Sequence, residues 1–171
     1  MLKKKVEDAI NKQIQEELYS SHLYLSMSAY FSNNGLAGCA NWMDVQHKEE
    51  RDHAMKFYNY LLAHGSNVKL LKIDEPGHEW KSPIDVFKAA LKHEQHITEC
   101  INNIVDIAEK EKDRATFNLL QWYIDEQVEE EDNARTIVDK LNLIKADSNG
   151  IFMLDKELAA RVYVPLNPVL K

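Results

Sequence analysis

A glutamate followed three residues later by a histidine, Glu50-Arg51-Asp52-His53, sets a carboxylate and an imidazole one turn apart on one helix face. Both lie on an apolar stripe traced by alternate steps of three and four: Cys39, Met43, Gln46, Glu50, His53, Phe57, Tyr60. Three other segments carry such stripes, each with one carboxylate near mid-length. Glu17 lies in the series Val6, Ile10, Gln13, Glu17, Ser20, Tyr24, Met27, Phe31. Glu94 lies in Phe87, Ala90, Glu94, Ile97, Ile101, Ile104, Ala108, and Glu130 in Leu120, Tyr123, Gln127, Glu130, Ala134, Ile137, Leu141, Ile144. Stripes of this kind face a bundle interior. Four helices of similar length, side by side, would bring the four glutamates to one level.

Burying one unpaired carboxylate costs several kcal/mol even after relaxation, against roughly 5–15 kcal/mol of stability for a typical domain. No Lys or Arg sits on the stripes at that level. Protons, trapped water or metal cations are the compensations left, and only metal also accounts for His53 beside Glu50. Oxygen-rich ligation with one imidazole suits iron or manganese better than a thiolate-seeking metal.

The rest of the composition narrows the class. The chain has 171 residues, enough for one domain with a substantial core, and is 44% hydrophobic and 29% charged. Its 28 acidic against 21 basic residues leave a formal charge of −7, and no basic patch interleaved with aromatics speaks for nucleic acid. An acidic surface attracts cations but is equally a solubility device. After Met-Leu-Lys-Lys-Lys the sequence turns to Val6-Glu7-Asp8 where a signal peptide needs an apolar region, and no apolar run approaches membrane-spanning length. Cys39 and Cys100 have neither metal-type spacing nor partners for a disulfide framework. The expectation is a cytoplasmic protein that binds neither membrane nor nucleic acid.

The helices that must carry the stripes have readable ends. The first covers about residues 3–33 and stops at Asn33-Asn34-Gly35. The second follows at once and ends near His64-Gly65, after which Glu75-Pro76-Gly77 interrupts any periodicity. The third opens with Ser82 as N-cap, Pro83 in the first turn and Asp85 at the capping-box position. Between third and fourth, phase supplies the break. Continuing the third stripe past Ala108 selects mostly polar residues, whereas the apolar register restarts at Leu120, so the chain turns near Lys112-Asp113. A short fifth helix is expected around Leu154 to Tyr163, after a break at Ser148-Asn149-Gly150 and before a tail with Pro165 and Pro168. Short turns make antiparallel neighbours. The long link of roughly 17 residues reaches about 56 Å when extended, more than the about 42 Å of a 28-residue helix. The second and third helices therefore run parallel, in an all-α four-helix bundle with one long crossover.

On these residues the chain resembles the ferritin family, specifically the haem-free bacterial ferritins, over nearly its whole length. The resemblance implies a single ferritin-like domain over residues 1–171 and a two-iron ferroxidase centre. Glu17, Glu50 and His53 would surround one iron, and Glu50, as bridge, with Glu94 and Glu130 would hold the other. Gln127 matches the family's polar position beside the metals, and Glu49, Glu126 and Glu129 look like the third iron site of bacterial members. Tyr24 matches the tyrosine thought to hydrogen-bond the site or donate an electron. The family implies Fe²⁺ and O₂ or peroxide as reactants, a ferric mineral as product and a hollow shell of 24 identical chains. Three departures matter. Gln127-x-x-Glu130 replaces a second Glu-x-x-His, Arg51 stands where bacterioferritins carry a haem-ligating Met, and the Cys-x-x-Cys pairs of rubrerythrins are missing. Haem is not expected.

Other readings compete residue by residue. Glu126, Glu129, Glu131 and Asp132 also read as a solvated acidic face, and Glu49 alone is no more specific. Tyr24 also reads as a core tyrosine satisfying its hydroxyl, and Gln46 as a polar neighbour of the site. His93 and His96 miss a zincin pattern, because position 97 is Ile, and read as surface histidines. At the level of the protein, one alternative is a di-iron oxidase acting on an organic substrate. Another is a bundle whose polar layer only fixes register.

Overall fold

The computed structural model describes residues 2–145 and 147–166. These form five helices: α1 (Lys4–Asn33), α2 (Ala37–Ala63), α3 (Pro83–Lys110), α4 (Arg114–Ile144) and α5 (Ser148–Leu158). α1 ends on Asn34, whose N–H closes the last turn, and Gly35 then takes the left-handed φ of +74° that starts the reversal into α2. Lys112 does the same between α3 and α4 with a φ of +56°, where the phase argument places the turn. Ser82 occupies the N-cap of α3, but its hydroxyl donates to the Asp85 carboxylate (2.7 Å) rather than capping a backbone N–H.

The long link travels back along α1. Near the start of α1, Glu7 accepts from the N–H of Asn67 (3.1 Å), and Asn11 bonds both the carbonyl of Asn67 and the N–H of Lys69. Near its end, Ser26 donates to the carbonyl of Gly77 (2.8 Å) and Tyr30 packs edge-on against Trp80. α3 thus begins beside the end of α1, where Phe31 meets Phe87, and runs parallel to α2. Among the described residues no helix is long and apolar enough to cross a membrane.

Every stripe residue named above is buried except Ile144, which is half-buried. The core is nevertheless in two pieces. One apolar cluster gathers Met27, Phe31, Met43, Phe87, Ile137 and their neighbours. The other gathers Ile10, Ile14, Phe57, Ile97, Ile101 and Tyr123. The slab between them is polar: Gln13, Glu17, Gln46, Glu50, His53, Glu94, Gln127 and Glu130 are all at most 4% exposed.

The fifth helix differs from expectation. It starts at Ser148 and ends at Leu158, because the Asp147 carboxylate caps the N–H of Gly150 (2.8 Å) and turns the Ser-Asn-Gly break into a first turn. Leu154 is covered within the chain, whereas Phe152 and Met153 remain exposed. Pro165 lies in the segment after α5; Pro168 is outside the described residues.

Candidate metal centre

Each helix of the bundle delivers one buried carboxylate to the polar slab, and three of the four are gripped by a neutral amide. Gln13, one turn earlier on α1, donates to Glu17 (2.9 Å). Gln46 on α2 reaches across to Glu130 (2.8 Å). Gln127 on α4 donates to both the backbone carbonyl and the carboxylate of Glu94 (3.2 Å each). Glu94 also receives the Tyr24 hydroxyl. The fourth carboxylate, Glu50, lies 3.5 Å from Nδ1 of His53, and Nε2 of His53 is 3.7 Å from Glu126. His53 is wedged edge-on against Trp122 and Tyr123, and the Tyr123 hydroxyl donates to its backbone carbonyl (2.9 Å).

The amide and hydroxyl partners orient the carboxylates without neutralising them. Oε2 of Glu17 and Oε1 of Glu50 are buried with no hydrogen-bond partner, an arrangement that a folded protein ordinarily avoids. Burial raises the pKa of all four carboxyls. Glu50 is pushed furthest, by burial and then by the nearby Glu94. Glu94 reaches about 8 through burial and repulsion from Glu130, although its bonds from Tyr24 and Gln127 oppose the rise. Burial alone would lower His53, but Glu126 and Glu50 hold its pKa well above the ordinary histidine value. Burial and the Glu94 charge keep the Tyr24 phenol protonated.

Two groups of donor atoms converge to within 4.8 Å of one another: Glu17, Glu50 and His53, and His53, Glu126 and Glu130. His53 belongs to both. Glu94 stands beside them, tied to Tyr24 and Gln127. Four carboxylates carry up to four negative charges, which two divalent cations would balance, and the unpartnered oxygens would become ligands. The donor set, carboxylate oxygens with one imidazole, is the hard, oxygen-rich kind.

Of the remaining expected residues, only Glu126 falls in a converging donor group among the described residues. Glu126 joins His53, while Glu49 is half-buried and paired with Arg161. Glu129 is exposed and lines a groove of about 570 Å³ on the α3–α4 face. Gln127 lines that groove too, whereas Glu17, Glu50, His53, Glu94 and Glu130 do not.

Sequence reasoning missed two residues. Arg161 enters from beyond α5, off every stripe. His93 is only half-exposed: it lies 2.7 Å from the Ser20 hydroxyl, against the rings of Tyr19 and Tyr24, and burial lowers its pKa to about 4. It is neutral at physiological pH and backs Tyr24. His96 is exposed as expected.

Comparison with known proteins points one way. A family model described as a ferritin-like domain matches residues 7–144. A bacterial non-heme ferritin of Bacteroides fragilis is 43% identical over 161 residues, covering 94% of this chain and all of the relative. One from Campylobacter jejuni is 43% identical over 91% of this chain and 93% of its own. Among solved structures, an engineered closed form of the Archaeoglobus fulgidus ferritin is similar at a TM-score of 0.95, with 46% identity over 96% of this chain and all of that one. An open-pore ferritin from the same archaeon gives a TM-score of 0.93 at 47% identity, covering 94% of this chain and 98% of that one.

Proposed function

The chain belongs to the ferritin family, and from that premise we propose that it takes up Fe²⁺, oxidises it at the polar slab and stores the ferric product inside a shell of identical chains. Two Fe²⁺ ions are the substrates. Glu17, Glu50 and His53 hold one; Glu50, Glu94 and Glu130 hold the other, with Glu50 between them. Each ion gives up one electron, so a paired site passes two electrons to a single oxidant: O₂ with two protons becomes hydrogen peroxide, or peroxide with two protons becomes water. The protein supplies fixed spacing and hard ligands.

The side chains around the ligands have definable tasks. Gln13, Gln46 and Gln127 orient Glu17, Glu130 and Glu94 through neutral amides, leaving the charge for the metal. Tyr24 aims Glu94. Its phenol is protonated and in contact with a ligand, so an electron donated from it would leave with its proton accepted by Glu94. Glu49 and Glu126, with Glu129 outermost, make a third cation position next to the pair.

The observation that carries this reading is the pair of unpartnered buried oxygens, on Glu17 and Glu50, within one cluster of converging donors. A polar layer serving only register would satisfy its own oxygens. The test has two arms. Anaerobic titration with Fe²⁺ should show two tight ions per chain, and later admission of air should consume oxygen and leave iron in the excluded-volume fraction of a sizing column. No metal uptake would defeat the site. Oxidation without retained iron, or a monomeric bundle by light scattering, would defeat the storage role.

A further inference from the structure

One cation reaches the carboxylate layer from the far end of the chain. After α5, residues 159–166 form a strap along α2. The Tyr163 hydroxyl (2.6 Å) and the N–H of Leu166 (3.0 Å) both donate to Asp52, and the Asn41 amide donates to the carbonyl of Arg161 (3.0 Å). The strap lays the Arg161 guanidinium over the Trp42 ring, 4.6 Å from its centroid, and pairs it with the Glu49 carboxylate. Both side chains are only about a fifth exposed, at 21% and 23%. Glu49 lies one turn before His53 on α2, on the same side of that helix, and His53 belongs to the converging group of His53, Glu126 and Glu130. The guanidinium paired with Glu49 therefore sits beside that group.

We propose that Arg161 is a built-in cation standing in the third metal position, so that a divalent ion binds Glu49 only by displacing the guanidinium. This rests on the reading of the slab as a two-ion site. Three features favour a removable occupant over a permanent brace. A guanidinium stays charged at any physiological pH, so proton loss cannot vacate the place and a competing cation must. Its Nη1 is buried with no partner, so moving it into water restores a lost hydrogen bond. It is carried by a non-helical strap, fastened by side-chain bonds that can open without disturbing the four long helices. A third ion must then bind more weakly than the first two, and its arrival must loosen the strap.

The test uses redox-inert Zn²⁺ in titration calorimetry on the full assembled chain. The wild type should take two tight ions. Arg161→Met keeps a long side chain on Trp42 but removes the charge, and it should take three, the third at least tenfold tighter than any third event in the wild type. Adding Glu49→Gln to that variant should return it to two. If Arg161→Met fails to assemble, Arg161→Lys carries the test, since a flexible ammonium lacking the planar fork should admit the third ion with intermediate affinity. Unchanged stoichiometry and affinity in the variant tested, or a third ion that survives Glu49→Gln, would overturn the proposal. A wild type that binds fewer than two ions would overturn the two-ion reading instead.

Discussion

Tyr24 on α1 donates its hydroxyl to the Glu94 carboxylate on α3, both fully buried and seventy residues apart in sequence. The bond does two things at once. It aims Glu94 into the layer, and it favours the ionised form of a carboxyl that burial and Glu130 push towards protonation. Tyr24→Phe removes the donor and leaves the ring packing. Glu94 should then hold its proton to higher pH, so the pH at which Zn²⁺ half-saturates the site should move upward while the stoichiometry stays at two. Calorimetric titrations at several pH values would show this. An unchanged pH midpoint would reduce Tyr24 to a packing residue.

Repulsion within the layer makes a prediction about the metal-free protein. At alkaline pH all four carboxyls are driven to ionise in a dry site, so removing one charge should help. Glu94→Gln keeps an acceptor for Tyr24. It should raise the melting temperature of the metal-free form above pH 8 by several degrees, at about 2–4 °C per kcal/mol for a chain of this size. The same substitution should weaken the second metal ion strongly and slow iron oxidation. Lower stability in the metal-free state would assign Glu94 a structural role.

The titration shifts fix the sign of the pH dependence. Glu94, at about 8 when folded, and Glu49, at about 7, bind protons more tightly in the native state than in the unfolded chain. The stability they lend is full below the ordinary carboxyl value of 4.5 and is lost as pH rises to 7 for Glu49 and to 8 for Glu94. His53 acts in the same direction, since its folded pKa is also raised. Metal-free protein should therefore melt lower at pH 8.5 than at pH 5.5, and saturating Zn²⁺ should stabilise it more at the higher pH. Loading at pH 7 should release at least one proton per chain, measurable by calorimetry in buffers of different ionisation heat. A metal-free form that gains stability steadily from pH 5.5 to 8.5 would contradict the shifts.

Much of this site was legible because it lies on regular helices. A heptad stripe names its buried members one by one, and every member of the polar slab is a stripe position that is not apolar. Gln13 and Gln46 come from the same lines. What escaped has a physical reason. His93 lies off the α3 stripe, on a flank covered by Tyr19 and Tyr24 of α1, and one helix's periodicity says nothing about how far a neighbour wraps around it. Arg161 follows the last helix, in a segment with no period to read, and its partner is 112 residues away. The start of α5 was misplaced because Ser148-Asn149-Gly150 reads as a breaker until the Asp147 cap is seen to close the turn.

α2 and α5 are joined by contacts that no local pattern encodes. Leu36, at the N-cap of α2, offers no side-chain cap, and Asp155 of α5 supplies one by accepting from the N–H of Cys39 (2.8 Å). That approach is possible only because residue 38 is glycine. A Cβ there would stand 1.6 Å from the carbonyl oxygen of Asp155, and backbone cannot yield as a side chain can. Gly38→Ala should therefore lift α5 from α2, leave the N-terminus of α2 uncapped and release the strap that carries Arg161. A lost cap alone is worth about 1 kcal/mol, and the loss of Leu154 and Leu158 burial adds to it. The expected outcome is a lower melting temperature and rapid protease cleavage between α4 and α5, with metal uptake at the proposed two-ion site unchanged because its candidate ligands lie on α1–α4. Protection from protease equal to that of the wild type would show that α5 can dock without this contact.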